Sequence, residues 1–441
     1  MKKNNQLNLY FDENIHQKKN NKNLDERINV IISVFLLISL LTLSKLLLIG
    51  LEKKEFYFTE SFSLENAKRR DIVDRNYNLL AYNVQTHDLL IRTNKIKNFR
   101  SLNYKLRLSF PDINLAKVKD FNKRSFHIVK KNLTPSEYNK AISLGEPSIE
   151  LVRNEVRVYP NKNLFSHIIG ITDTDQNGIS GIELYLNREI LSRDKISQPI
   201  VLSLDQNIQY IVRESLKQGI DIFDAKGAAG ILLDAQSGKI LSMTSLPDFN
   251  PNYRKDLNKE NLFNKNTKGL YELGSIFKTF VIANALEKKV VTRNKVYKNL
   301  PSQVECGKFP IKEYKYSKNK KNLSVNDILV ESSNIGIIRI IQDSGLDSYR
   351  KFLEDLEIFS HPKIELPEVS SSIKKSWGKC NTLTAGYGHG LNTTPLQLTR
   401  AFAAIINGGN LLEVSLLKNK AVKVKSKIIS EKNSEIMRKI L

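Results

Sequence analysis

A serine followed three residues later by a lysine, Ser275 and Lys278 in YELGSIFKTFVIANALEK, is the pairing in this sequence best suited to covalent chemistry. A serine hydroxyl is a poor nucleophile until a base takes its proton, and a lysine amine can be that base when burial makes it neutral near pH 7. The stretch offers such burial. After a glycine-marked turn it reads as a continuous apolar helix, with Ser275 in the first turn and Lys278 on the same face at i, i+3. The unpaired N–H groups of a helix start also suit an oxyanion. By itself the pattern equally describes a helix-capping serine beside a surface lysine, so its surroundings have to decide.

A second polar group falls in LSVNDILVESSNIGIIRIIQDSG. Ser324 is placed to cap a short helix, the triplet Ser332, Ser333, Asn334 breaks it, and a second helix is expected from about Ile335 to Gly345. Side chains on such a loop can reach a cleft. Ser332 could relay a proton between Lys278 and a leaving group, and Asn334 could orient the lysine and a substrate amide. The same triplet would also serve as a plain polar turn. In TLTAGYGHGLNTTPLQLTRAFAAIINGG a loop with Gly386, Gly388 and Gly390 precedes an explicit helix start: Thr394 as N-cap, Pro395 at N1, Gln397 at the capping-box position. Gly408 and Gly409 should end that helix. His389 has no partner serine or aspartate at a recognisable spacing and receives no role.

The elements that position these groups begin near Pro199. LSLDQNIQYIVRESL reads as a helix capped by Asp205, with an apolar face of Ile208, Ile211, Val212 and Leu216. AAGILLDAQSGKILSMTSLP follows as two strands joined by a turn at residues 234–238, where Gly238 can supply a positive φ. Helix and hairpin imply a sheet-and-helix domain. Residues 51–195 read as mixed α/β. Within them RRDIVDRNYNLLAYN is a charged turn followed by a strand. RVYPNKNLFSHIIGITDTDQNGISGIELYLN is strand, turn, helix, with an apolar run from Ile168 to Ile171.

Residues 28–49 form an apolar run long enough, at about 1.5 Å per residue, to cross a hydrocarbon layer of about 30 Å. Its one charge, Lys45, lies near an end and can snorkel. The run is too long for a cleaved signal peptide and no A-x-A-like site follows. Lys18, Lys19, Lys22 and Arg27 precede it and only Lys53 and Lys54 closely follow, which favours a cytoplasmic N-terminus and an exported remainder. The formal charge of +23 is spread along the chain among many Asn and Ile residues, so it describes a basic surface and not a nucleic-acid site. The two cysteines, Cys306 and Cys380, lack metal-ligand spacing, and no metal or other cofactor is expected. In an oxidising compartment a disulfide between them is open.

Taken in order, GSIFK and SSN, with RRDIVDRN, RVYPNKNLFSHIIG, GISGIELYL, LDAQSGKILSMTSLPDFNPN and AGYGHGLNTTPLQL, resemble the class B penicillin-binding proteins. The likeness is closest to the septal, division-specific D,D-transpeptidases of the FtsI type. It implies a cytoplasmic tail (1–27), a signal anchor (28–50), a noncatalytic pedestal of the dimerisation type (51–198) and a transpeptidase domain of the penicilloyl-serine transferase fold (199–441), α/β and α+β overall. It also implies roles: Ser275 as nucleophile, Lys278 as base, Ser332 as proton relay and Asn334 as the substrate-facing amide. Peptidoglycan stem peptides and β-lactams would be the ligands. The setting would be the bacterial inner membrane with the catalytic domain in the periplasm, and divisome membrane proteins, a glycosyltransferase among them, would be partners. Arg70 and Tyr77 stand where the family usually has glycines, which bears on turn geometry. No K-T-G or K-S-G follows Gly409, so the resemblance implies either a fragment or a protein that has lost part of its site, and the 441 residues alone are expected neither to cross-link peptidoglycan nor to react efficiently with penicillin. A noncatalytic divisome scaffold, an elongation-specific transpeptidase and a β-lactamase or β-lactam sensor are the alternatives. The long pedestal argues against the last.

Overall fold

The computed structural model describes residues 13–51, 69–115, 124–187, 198–253, 257–307, 310–313, 321–370 and 377–441. The chain divides into two units, Met1–Ala67 and Lys68–Leu441. The first is built on one helix, Glu13–Leu51. Within it Glu26–Lys45, 20 residues, is apolar and long enough to cross a membrane. The expected span at 28–49 therefore falls on a continuous helix. The expectation of mixed α/β structure at 52–68 and 188–197 lies outside the described residues.

In the second unit the charged turn and strand expected at Arg69 become strands Ile72–Val73 and Leu79–Arg92, paired antiparallel. Tyr77 closes the intervening turn at φ +66°, so the left-handed conformation is kept without a glycine. The long strand pairs antiparallel with Ile149–Val158 over ten residue pairs and with Phe126–Lys130. Helices Phe99–Ser109 and Pro135–Ser143 supply Leu102, Leu106 and Ala141 to a core shared with Leu89, Ile91 and Phe110. The sheet then takes in Ile200–Val201, parallel to Ile72–Val73. Leu202 bridges Leu417 beyond it.

A second core therefore spans the two halves of this unit, with Ile72, Leu80, Phe165 and Ile182 packed against Leu202, Met243, Leu396 and Leu416. A buried ion network lies beside it. Glu183, fully inaccessible, receives Arg69 Nε at 2.9 Å on one oxygen and Arg157 Nε at 2.7 Å on the other. Arg69 Nη2 also donates to the Glu183 carbonyl, and Arg157 Nη1 to Asn83 Oδ1. Charges this deep persist only when paired and hydrogen-bonded, as these are.

Two sequence expectations require correction here. The run from Ile168 to Ile171 is not a strand: the strand ends at Val158, and the short helix Ser166–Ile169 follows. Nor does helix Gln206–Phe223 turn all four expected residues inward, since Ile211 is 62% exposed and its one buried residue is Gln209. Gln209 is held there by polar partners, donating to the carbonyls of Leu164 and Met243 and accepting from Ser242 Oγ. Val212 and Leu216 do meet the hairpin, at Gly230, where an added Cβ would lie 3.2 and 3.1 Å from their methyls. The Asp205 cap and the hairpin, strands Ala228–Leu233 and Ile240–Leu246 with Gly238 at φ +69°, are as the sequence implied.

The largest core is helical. Helices Phe277–Glu287, Asn334–Ser344, Leu346–Asp355 and Pro395–Ile406 pack Phe280, Ile282, Ile337, Ile341, Leu353 and Ala404 together. The last helix carries the expected Thr394 and Gln397 capping box, and Gly408 and Gly409 end it at φ +93° each.

Candidate active site

Ser275 lies in a 3-10 turn, Gly274–Ile276, that leads directly into helix Phe277–Glu287. The ten residues from Phe277 to Leu286 are all buried. A helix apolar on every face has to run through the core, and its first turn carries Lys278 inward with it. Lys278 is 1% exposed, whereas Ser275 opens to solvent. Gly274, at φ +64°, makes the sharp entry, and Gly388 of the glycine loop sits so close that a Cβ there would be 2.2 Å from the Gly274 carbonyl oxygen. The glycine loop thus braces the Ser275 turn by backbone contact.

From the other side come helix Val325–Val330, capped by Ser324 as expected, and helix Asn334–Ser344, capped by Ser333. Between them Ser332 is held at φ +55°. For a residue with a Cβ that conformation costs on the order of 1–3 kcal/mol and persists where surrounding contacts enforce it. Its consequence is placement. Lys278 Nζ donates to both the carbonyl of Ser332, at 2.5 Å, and its Oγ, at 2.9 Å. Ser332 Oγ in turn donates to Ser275 Oγ at 3.2 Å. Burial pushes the Lys278 amine down to about 8, with the negative charge of Glu313 opposing the shift.

The four residues singled out in the sequence are thus on one patch, with a difference in wiring. Ser332 bridges Lys278 and Ser275. Asn334 does not orient Lys278: its side-chain amide donates to the Lys312 carbonyl at 3.1 Å. His389 does have a partner, Glu272 Oε2 at 3.1 Å, and Glu272 also accepts from the Gly390 N–H. Spacing could not show it, because 117 residues separate the two. Glu313 was missed altogether. It follows strand Ile311–Lys312, which pairs with Gln303–Val304, and the intervening Cys306 is disulfide-bonded to Cys380 on helix Lys379–Ala385. The disulfide left open by the sequence is therefore formed, with the two Cα atoms 5.6 Å apart.

A serine on a helix-start turn, reached by a buried amine through a second hydroxyl, is the arrangement of a serine acyltransferase. Comparison with known proteins agrees with it. Residues 228–441 match the penicillin-binding protein transpeptidase domain, and residues 64–223 the penicillin-binding protein dimerisation domain. Similar curated proteins include a probable peptidoglycan D,D-transpeptidase FtsI of Caulobacter vibrioides, 28% identical over 79% of this chain and 59% of that protein. A probable peptidoglycan D,D-transpeptidase PenA of Neisseria meningitidis is 28% identical over 85% of this chain and 69% of its own length. The peptidoglycan D,D-transpeptidase FtsI of Buchnera aphidicola is 28% identical over 95% and 79% respectively. The chain belongs to the class B penicillin-binding proteins, of the FtsI type.

Proposed function

We propose that this chain is a septal peptidoglycan D,D-transpeptidase that works through an acyl-serine. The observation that carries the reading is the chain of contacts from Lys278 Nζ through Ser332 Oγ to Ser275 Oγ. With Lys278 neutral, the hydroxyl protons reorient: Ser275 donates to Ser332 and Ser332 to the amine. Ser275 Oγ attacks the penultimate D-Ala carbonyl of a stem peptide as its proton passes to Ser332 and that of Ser332 to Lys278. The returning proton goes to the leaving D-Ala nitrogen. An amino group of a neighbouring stem then takes the acyl group, and Ser275 recovers its proton. Asn334, half-buried at the start of its helix, is assigned to the substrate amide. A β-lactam would enter the same path and remain on Ser275. Labelled penicillin added to membranes carrying the protein expressed from its own gene should mark Ser275 alone. Ser275→Ala should abolish the label and Ser333→Ala should not. Label on the Ser275→Ala protein would reject the assignment.

Residues 51–198 are proposed as pedestal and 199–441 as the catalytic region. Helix Gln206–Phe223 supports that division, since it packs on the hairpin of the transpeptidase match although the dimerisation match extends to residue 223. The Glu26–Lys45 helix is proposed to anchor the protein in the inner membrane, with residues beyond about 51 in the periplasm beside divisome membrane proteins, a glycosyltransferase among them. Protease added outside cells with a permeabilised outer envelope should digest the region after Leu51. Complete protection of that region would refute the topology.

A further inference from the structure

The contact chain depends on one strained residue, and what holds that residue comes from elsewhere in the fold. Ser332 offers Lys278 both its carbonyl and its hydroxyl, so any rotation of its backbone away from φ +55° breaks two contacts at once. The 332–334 turn is clasped by Glu313. One carboxylate oxygen accepts from Ser333 Oγ and from the Ile335 N–H at 2.9 Å, and the other accepts from the Asn334 N–H at 3.0 Å. Those two N–H groups open the eleven-residue helix Asn334–Ser344 and have no partner within it. Next to Glu313, the Lys312 carbonyl takes the Asn334 side-chain amide. The segment that delivers both is fastened at Cys306 through its disulfide to Cys380.

We propose that Glu313 is a positioning residue for acyl transfer, its carboxylate fixing the 332–334 turn so that Ser332 stays between Lys278 and Ser275. The inference rests on the acyl-serine reading above. Glu313 acts on the lysine in a second way as well, because its negative charge favours the protonated amine against desolvation. Lys278 is faced by the neutral Ser275 turn, by Ser332 and by Glu313, the charged group whose field acts on it. Glu272, on the glycine-loop side of the Ser275 turn, is paired with His389.

The test measures penicillin acylation with the rate constant of the covalent step separated from the binding constant, across pH, in wild type, Glu313→Gln and Glu313→Asp. Gln keeps the shape and one accepting oxygen while losing the charge. The covalent rate should fall about tenfold to a hundredfold, as for a small misplacement at a reacting centre, with the binding constant nearly unchanged. The pH inflection should move lower, which a purely structural role would not produce. Asp, which keeps the charge on a shorter stem, should hold the inflection and recover part of the rate. Wild-type rate and an unshifted inflection in Glu313→Gln would overturn the proposal while leaving Ser275 as nucleophile, provided Ser275→Ala stays unlabelled. Label on Ser275→Ala would instead take down the reading beneath it. If the Gln protein lacks a cooperative melt, Asp decides: a wild-type rate overturns the proposal and a several-fold loss supports it.

Discussion

Two buried charged groups in this protein are treated in opposite ways. At the junction of the two halves, Glu183 is wrapped by Arg69 and Arg157, and the guanidinium groups spend further donors on carbonyl and amide oxygens. At the proposed acyl-transfer site, Lys278 is as deeply buried, but among the described residues its hydrogen bonds go to the two neutral oxygens of Ser332, and Glu313, the carboxylate whose charge acts on it, is committed to Ser333 and to helix N–H groups. A full set of partners makes a charge a structural joint. Withholding the partner makes its proton labile, which a base requires.

The sharpest way to break that comparison is to remove each charge in turn. Lys278→Met should lower penicillin acylation by about 10²- to 10⁴-fold, the usual worth of a general base. Its melting temperature should change little, because the donor lost to Ser332, worth about 1 kcal/mol, is offset by no longer burying an unpaired amine. Glu183→Ala should show the reverse pattern. It leaves two buried guanidinium groups facing each other, which costs about 3–5 kcal/mol, while the protein that remains folded acylates normally. Calorimetry paired with acylation rates separates the two. A large melting loss in Lys278→Met, with acylation intact, would make it a structural residue like Glu183.

The pH profile sharpens the same contrast. Because the base must be neutral, acylation should climb with pH through an inflection near 8, where burial has placed the Lys278 amine, and level off above it. Its effect on stability has the opposite sense to that of a paired lysine. The folded pKa lies below the unfolded value, so the penalty for the charged form is complete below about 8 and disappears as pH rises from there toward the ordinary lysine value. The Lys278→Met protein should lose both the rate inflection and that stability gain. An inflection that survives the substitution belongs to another group.

How far the sequence revealed this site depends on the distance over which each contact acts. Ser275 and Lys278 are one helical turn apart in a stretch with no polar face, so both their proximity and their burial could be read directly. The caps at Asp205, Ser324 and Thr394 are equally local, and all three formed. Asn334 was placed on the right loop with the wrong partner, because its contact is a carbonyl on a segment that folds back from residue 312. Glu313 carried no signal, since its value comes from a strand pair closed by a disulfide to residue 380. Ile211 looked like core because periodicity marks a face without saying whether anything covers it; Gln209 is inside because its hydrogen bonds are met there.

The smallest expected effect concerns Tyr77, which holds a left-handed turn without a glycine. Holding a tyrosine there costs about 1–2 kcal/mol relative to an ordinary conformation. Part of that cost is offset locally: Lys418 Nζ lies 5.4 Å from the ring centroid, a contact worth about 0.5–1 kcal/mol at an exposed site, while the same amine donates to the Arg75 carbonyl. Tyr77→Asn should therefore be nearly neutral, because asparagine tolerates the left-handed region but gives up the cation. In a Lys418→Met background the ring has no cation to lose, so there the same substitution should raise stability by up to about 1 kcal/mol. A double-mutant cycle measured by denaturant unfolding isolates the difference. Equal effects of Tyr77→Asn in the two backgrounds would mean that the ring and Lys418 do not interact, and that the turn tolerates tyrosine for a reason outside this pair.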